Sequence, residues 1–389
     1  MKKNIFSFTS AAVLLLAVGL AGCSREDANE ENGTRTMLLK VQLAETRAPA
    51  TPIADQTVAT FSAPGYIFFV TSSGTITKKM EIGAQAYHAT NFPDKVAMTD
   101  ITGGALVAIQ NVPSSSSSVY VVGTLSTTGL LSAVAVGQNI STVLAAAQVA
   151  VGDVDDATGA VANVPLLGSG VITYASTPNI YEANVTIAPV VGRVELAKIS
   201  ADDEEITSFT VDAIYVNQYY EQLSLAGVAT SIVDNASSTS NYAQATATDK
   251  YYGKPEVFDA FATGTADSDG SVEVDFAGVM AYNLLPPGST YFPHLVVRIT
   301  KVVPKDASYT NDYGAGKVWY LTVKNVVAAG TSQTGPFLVF QAGKIYKIAD
   351  LHFGLGDLSP VPEPGDKIVT VKVTVTKWEA VNVDPVLGS

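Results

Sequence analysis

Few residues in this 389-residue chain have the type and spacing to do chemistry. The three histidines, His88, His294 and His352, lie far apart, and none forms a His-x-Glu or His-x-x-x-His pairing suited to zinc. A single cysteine leaves neither a thiolate cluster nor a disulfide framework. No Gly-x-Ser-x-Gly elbow and no phosphate-cradling glycine loop occurs. Asp267-Ser268-Asp269-Gly270 begins like a calcium loop but lacks the later ligands. Asp153-Val154-Asp155-Asp156 has carboxylates without a coordination frame, and a hairpin turn explains either run equally well. Asp202-Asp203-Glu204-Glu205 reads as a solvated turn between strands. Spacing therefore selects no catalytic, metal or cofactor site. A carboxylate pair converging from distant positions would escape such a reading, so a secreted hydrolase on a β-scaffold stays among the classes.

Cys23 is the one residue with a specific chemistry. Lys2 and Lys3 form a basic start, and Ala11 to Leu20 is an apolar run too short to span a membrane. The run ends in Leu20-Ala21-Gly22-Cys23, which has the form of a bacterial lipobox. Small residues let the peptide lie in a narrow protease cleft, and the thiol is the only group there that can take a thioether-linked diacylglycerol. Residues 1–22 are then a lipoprotein signal peptide and Cys23 the lipidated first residue. Ser24 to Asn32 is charged and lacks large apolar residues, so it reads as a tether; an acidic stretch there also suits export to the outer surface.

The elements that follow must be mostly strands. Of all residues 47% are hydrophobic and only 15% charged, and Val, Thr, Tyr, Gly and Ser are abundant. The formal net charge of -13, with no basic cluster, excludes nucleic acid as a partner. Apolar and polar residues alternate in Leu39 to Leu43, Val185 to Ile187, Val318 to Val323 and, most regularly, Val369 to Thr376. Turn residues punctuate them at Ser72-Ser73-Gly74, Pro286-Pro287-Gly288 and Pro362-Glu363-Pro364-Gly365. The five-serine run Ser114 to Ser118 reads as a solvated loop before a strand at Val119 to Val122. One segment, Ser141 to Val149, reads as helix with Asn139 or Ser141 as N-cap. The chain is expected to be all-β: two β-sandwich domains, with a short helix in the first and a boundary near Pro189.

The two ends carry a resemblance. Residues 36–47 form a strand followed by Arg47 and then Ala48-Pro49-Ala50. The far end has the valine-alternating strand, then Trp378, then a short alternation at Ala380 to Val383. Between them lie the helix, Arg193 and Lys198 near the boundary, and the Gly343 to Ile348 strand. This order resembles the fimbrillin family, the major subunits of type V pili of certain Gram-negative anaerobes.

The resemblance implies transthyretin-like sandwiches and a pilin life history. A lipid-anchored precursor in the outer membrane would be cut by an arginine-specific protease, here between Arg47 and Ala48, and become part of a cell-surface fimbria. Residues 23–47 would be tether and removable first strand, with domains at 48–188 and 189–389. Leu39, Val41 and Leu43 would be the leaving knobs. The incoming strand would come from a neighbouring copy, from Val369, Val371, Val373, Val375, Trp378, Val381, Val383 and Val386. Patterning alone favours 379–389 as the part that moves and 368–378 as its anchor, since a free terminus swings out at low cost. Pro360 to Pro364 would be a semi-rigid spacer. Arg35 is the fallback cut, although cleavage there would leave the strand in place. Anchor and tip subunits would be further partners. A surface glycan-binding lipoprotein is the alternative reading, with Tyr219-Tyr220 and Tyr251-Tyr252 as its candidate aromatics.

Replacing Cys23→Ala should release the protein from the membrane fraction and abolish incorporation of labelled fatty acid, as cell fractionation would show.

Overall fold

A computed structural model describes residues 33–43, 64–102, 106–123, 131–154, 164–176, 180–233, 258–261, 272–286, 292–330, 336–362 and 369–377. The first ten strands are β1 Thr34–Leu43, β2 Gly65–Thr71, β3 Ile76–Gly83, β4 Lys95–Ala97, β5 Leu106–Pro113, β6 Ser116–Gly123, β7 Gln148–Ala150, β8 Leu166–Val171, β9 Thr173–Ala175 and β10 Ile180–Pro189. The rest are β11 Gly192–Ala201, β12 Ile206–Asn217, β13 Tyr219–Ser224, β14 Ala229–Val233, β15 Phe258–Ala260, β16 Glu273–Leu284, β17 His294–Pro304, β18 Val318–Ala328, β19 Lys344–Ile348, β20 Leu351–Phe353 and β21 Val369–Lys377.

These strands form two nine-stranded sheets, each curled into a barrel-like sandwich, so the chain is all-β as its alternation implies. The first sheet runs β4-β3-β2-β6-β8-β10-β1-β5, with β9 beside β10. The second runs β15-β12-β17-β18-β21-β19-β11-β16, with β20 beside β11. Burial follows the period of two: in β3 every second residue from Ile76 to Ile82 is buried, and the same holds in β10 from Ala183 to Pro189. Glycine lets β8 lie close to β10, because a Cβ on Gly168 would come within 2.2 Å of the Thr186 carbonyl oxygen.

Side chains close both curled sheets where backbone pairing stops. In the first, Gln110 of β5 donates its N–H to the Tyr87 hydroxyl at 2.7 Å and accepts from Lys78 Nζ of β3 at 3.0 Å. In the second, the Tyr282 hydroxyl of β16 donates to the Asp259 carboxylate (2.6 Å) and lies 3.2 Å from the Ile214 carbonyl oxygen. An edge strand so covered cannot pair with foreign chains at those positions. Burial pushes the Asp259 carboxyl above the usual carboxylate range, partly offset by the Tyr282 bond.

A third, three-stranded sheet, β14-β13-β7, ties the two halves together, for β7 belongs to the first half and β13 to the second. The α1 helix, Ile140–Ala146, precedes β7, and the Asn139 side chain caps it by accepting from the Ser141 N–H at 2.9 Å. The helix stops earlier than its apolar run suggests. Leu225 N–H bonds to the Ala147 carbonyl at 2.9 Å, and Val149 joins β7, paired with Leu223. Tertiary strand pairing overrides helical propensity there. Nearby, buried Arg193 donates to Glu195 at 2.8 Å and to Asn283 at 3.1 Å, and Asn283 donates to the Val154 carbonyl at 2.8 Å. Lys198, expected near the same boundary, pairs instead with Glu273 at 3.0 Å and Asp350 at 3.5 Å.

The serine run differs from expectation in its second half. Ser116 to Ser118 open β6, and Ser116 is buried, with its hydroxyl 2.7 Å from that of Thr77. A satisfied hydroxyl makes its burial tolerable.

Tyr282→Phe should lower stability by about 1–3 kcal/mol, because it leaves the Asp259 carboxylate short of a donor. Equilibrium denaturation measures the loss.

Candidate functional site

The site that the fold isolates is the slot holding β1. β1 pairs in parallel with β10, from Met37 opposite Tyr181 to Leu43 opposite Ile187. It pairs antiparallel with β5, from Thr34 opposite Pro113 to Lys40 opposite Leu106. Within the backbone ladders of the described residues, β5 joins the rest of its sheet only through β1. Met37 and Leu39 are 0% exposed and Val41 1%, beside Ala183 and Val185 of β10 and Val107 and Ile109 of β5. Each such side chain contributes about 1.5–3 kcal/mol when fully buried. Leu43 continues the strand and its register. At the other end Arg35, half-buried, lies with its guanidinium carbon 4.2 Å from the centre of the Tyr181 ring and donates to the Ser116 carbonyl.

The far-end candidates divide. Val369 to Lys377 is β21, which lies in parallel with β18 and antiparallel to β19, inside its sheet rather than at an edge. Val369 and Val373 are buried there at 8% and 1% exposure; Val371 and Val375 are strand positions between and beyond them. Cys23, Arg47, Ala48, Trp378, Val381, Val383 and Val386 lie outside the described residues. So do Tyr251, Tyr252 and the Asp267 to Gly270 run.

The aromatic pair Tyr219-Tyr220 is not a binding face. Tyr219 is 0% exposed, since it begins β13 with its ring in the core, and Tyr220 is half-buried. Among the described residues no three His, Cys, Asp or Glu side chains group as metal ligands, and no helix is long and apolar enough to cross a membrane. His88 accepts from the Thr90 and Asn91 N–H groups at 3.3 and 3.1 Å within its own turn.

One cluster escaped sequence reading because its members are 150 residues apart. The Ser200 hydroxyl is 3.0 Å from His352 Nδ1 and 2.8 and 2.9 Å from the two Asp350 oxygens. A nucleophile triad needs the carboxylate to orient the imidazole. Here it contacts the serine instead, with Lys198 beside it, so the geometry pins β20 to β11.

No protein-family model matches the sequence, and no curated protein matches it. Solved structures do share the fold. A candidate cell adhesion protein from Bacteroides eggerthii superposes with a TM-score of 0.54 at 15% identity, over 90% of this chain and 98% of its own. Another, from Parabacteroides distasonis, gives 0.51 at 12% identity, over 89% of this chain and 97% of its own. At such identity the likeness is one of fold.

Leu39→Ala should cost the precursor about 2–5 kcal/mol, by lost burial and the cavity left behind. Lys40→Ala, on the opposite face of the same strand, should change stability by less than about 0.5 kcal/mol. Urea titration of both variants separates the two.

Proposed function

We propose that this chain is a structural subunit of a bacterial surface fimbria, exported as a lipoprotein on Cys23 and serving adhesion. One observation carries the reading: β1, the first strand among the described residues, is an interior strand whose apolar column fills the slot between β10 and β5. A single cut downstream of it, at Arg47, would sever it from everything it completes. Loss of β1 would expose Val107, Ile109, Ala183 and Val185 and strand the backbone groups of two ladders, which is costly in water. A strand from another copy restores both, with main-chain bonds for affinity and alternate side chains for fit. Each copy fills the next, so the contact is head-to-tail and a filament grows.

The C-terminal segment, roughly 368–389, supplies the donor in this reading, and 48–188 and 189–389 are the two domains. Partners are neighbouring copies, anchor and tip subunits, an arginine-specific protease, and the outer membrane through the lipid. The fold shared with two candidate cell adhesion proteins supports the same class. Arg35 is a poor alternative cleavage site, because Tyr181 and Ser116 already hold its guanidinium.

Treatment of the purified precursor with an arginine-specific protease should yield fibres under the electron microscope, their subunits beginning at Ala48. The Arg47→Gln precursor should stay monomeric under the same treatment. Fibres whose subunits begin at Ser24, or unimpaired assembly of Arg47→Gln, would sink the proposal.

A further inference from the structure

The inward column of β1 continues past Met37 to the rim, where Arg35 occupies a seat built from three other strands. The Tyr181 ring of β10 lies 4.2 Å beneath its guanidinium carbon. Tyr174 of β9, 53% exposed, packs on Tyr181 with ring centres 5.0 Å apart. The Ser116 carbonyl of β6 accepts a guanidinium hydrogen bond. Ring faces and a carbonyl oxygen all present negative potential, so the seat selects a cation. Loss of β1 would remove the cation and leave the seat.

We infer that the seat is refilled by Lys367 of a second copy of this chain, and that this lysine sets the register of the strand replacing β1. The inference rests on the strand-replacement reading above. Its ground is a match between the two strands at every second position. Arg35, Met37, Leu39, Val41 and Leu43 correspond to Lys367, Val369, Val371, Val373 and Val375. The outward Lys40 matches Lys372, and Val41 matches Val373. In their own sheets the faces agree as well: Met37, Leu39 and Val41 are buried, as are Val369 and Val373, whereas Lys372 is exposed. β1 lies between one parallel and one antiparallel neighbour, and so does β21.

The competing segment fails at the seat. Placing Val381 and Val383 where Met37 and Leu39 sit brings Glu379 to the position of Arg35. A carboxylate there would face a carbonyl oxygen and the electron-rich side of a ring, and be repelled. The donated residues are therefore 367–375, and 379–389 trails behind them, the reverse of what patterning alone favours. Withdrawal of β21 unpairs β18 and β19 while it pairs β10 and β5 of the neighbour, so the exchange leaves the number of backbone bonds nearly unchanged.

Seeded fibre growth of the Arg47-cleaved protein, followed by light scattering and electron microscopy, tests this. Lys367→Gln should slow growth about fivefold, the loss expected of one cation–π contact, while Lys367→Arg grows normally and Lys367→Glu stalls. Tyr181→Leu should slow growth by a similar factor and Tyr181→Phe should not. The Tyr181→Leu/Lys367→Gln double variant should be no slower than either parent, because both remove the same contact from opposite copies. A chain lacking 379–389 should still assemble. Wild-type growth by Lys367→Glu, additive losses in the double variant, or no fibres without 379–389 each overturn the register and leave strand replacement standing. A cleaved wild type that never assembles overturns both. Should Tyr181→Leu unfold the first sheet, seen as a drop in its unfolding midpoint, the Lys367 series decides alone.

Discussion

The first sheet depends on a rule that backbone N–H and C=O groups inside a sheet must be paired. β1 meets that demand for β10 on one side and β5 on the other, and its column of Met37, Leu39 and Val41 fills the barrel between them. Remove it and the ladder path is broken, with β5 held to the remainder by side chains such as Lys78 and Tyr87 at Gln110. Two side-chain bonds do not replace a run of paired strand, since each contributes only about 0.5–1.5 kcal/mol net. The slot is thus a place of strong unmet demand whenever it is empty, and that demand is specific for an extended chain with apolar residues at alternate positions.

The rest of the fold holds the slot rigid. β13 pairs with β7 across the two halves, and the Arg193, Glu195 and Asn283 network binds the start of β11 to the Val154 carbonyl. Buried ions of this kind rarely add net stability over apolar packing, but breaking one partner is severe, so they fix geometry.

Much of this architecture was legible because alternation is a physical signature of a half-buried strand. The patterns at Leu39 to Leu43, Val318 to Val323 and Val369 to Thr376 all became strands. What local pattern could not show was partnership. Val149 looks helical until β13 arrives beside it, and Ser116 looks solvated until Thr77 meets its hydroxyl. Tyr219 looks like a surface aromatic, yet β13 turns it into the core. The Arg35, Tyr181 and Tyr174 seat was invisible for the same reason: its members come from strands distant in sequence, and no spacing rule joins them.

The topology also sets β1 apart from the other strands of its sheet. β1 lies parallel to β10, whose residues are more than a hundred positions later in the chain. A parallel neighbour so remote cannot form by a hairpin and requires nearly all of the first sheet to exist beforehand. The hairpin-linked pair of β2 with β3 forms locally, whereas the slot between β5 and β10 is open until a strand from elsewhere in sequence closes it. From the standpoint of that slot, a strand tethered by its own chain differs from a strand of another molecule only in effective concentration. Cutting the tether removes that one advantage, and what remains to choose the occupant is fit: an apolar column of the right length and a cation at its rim.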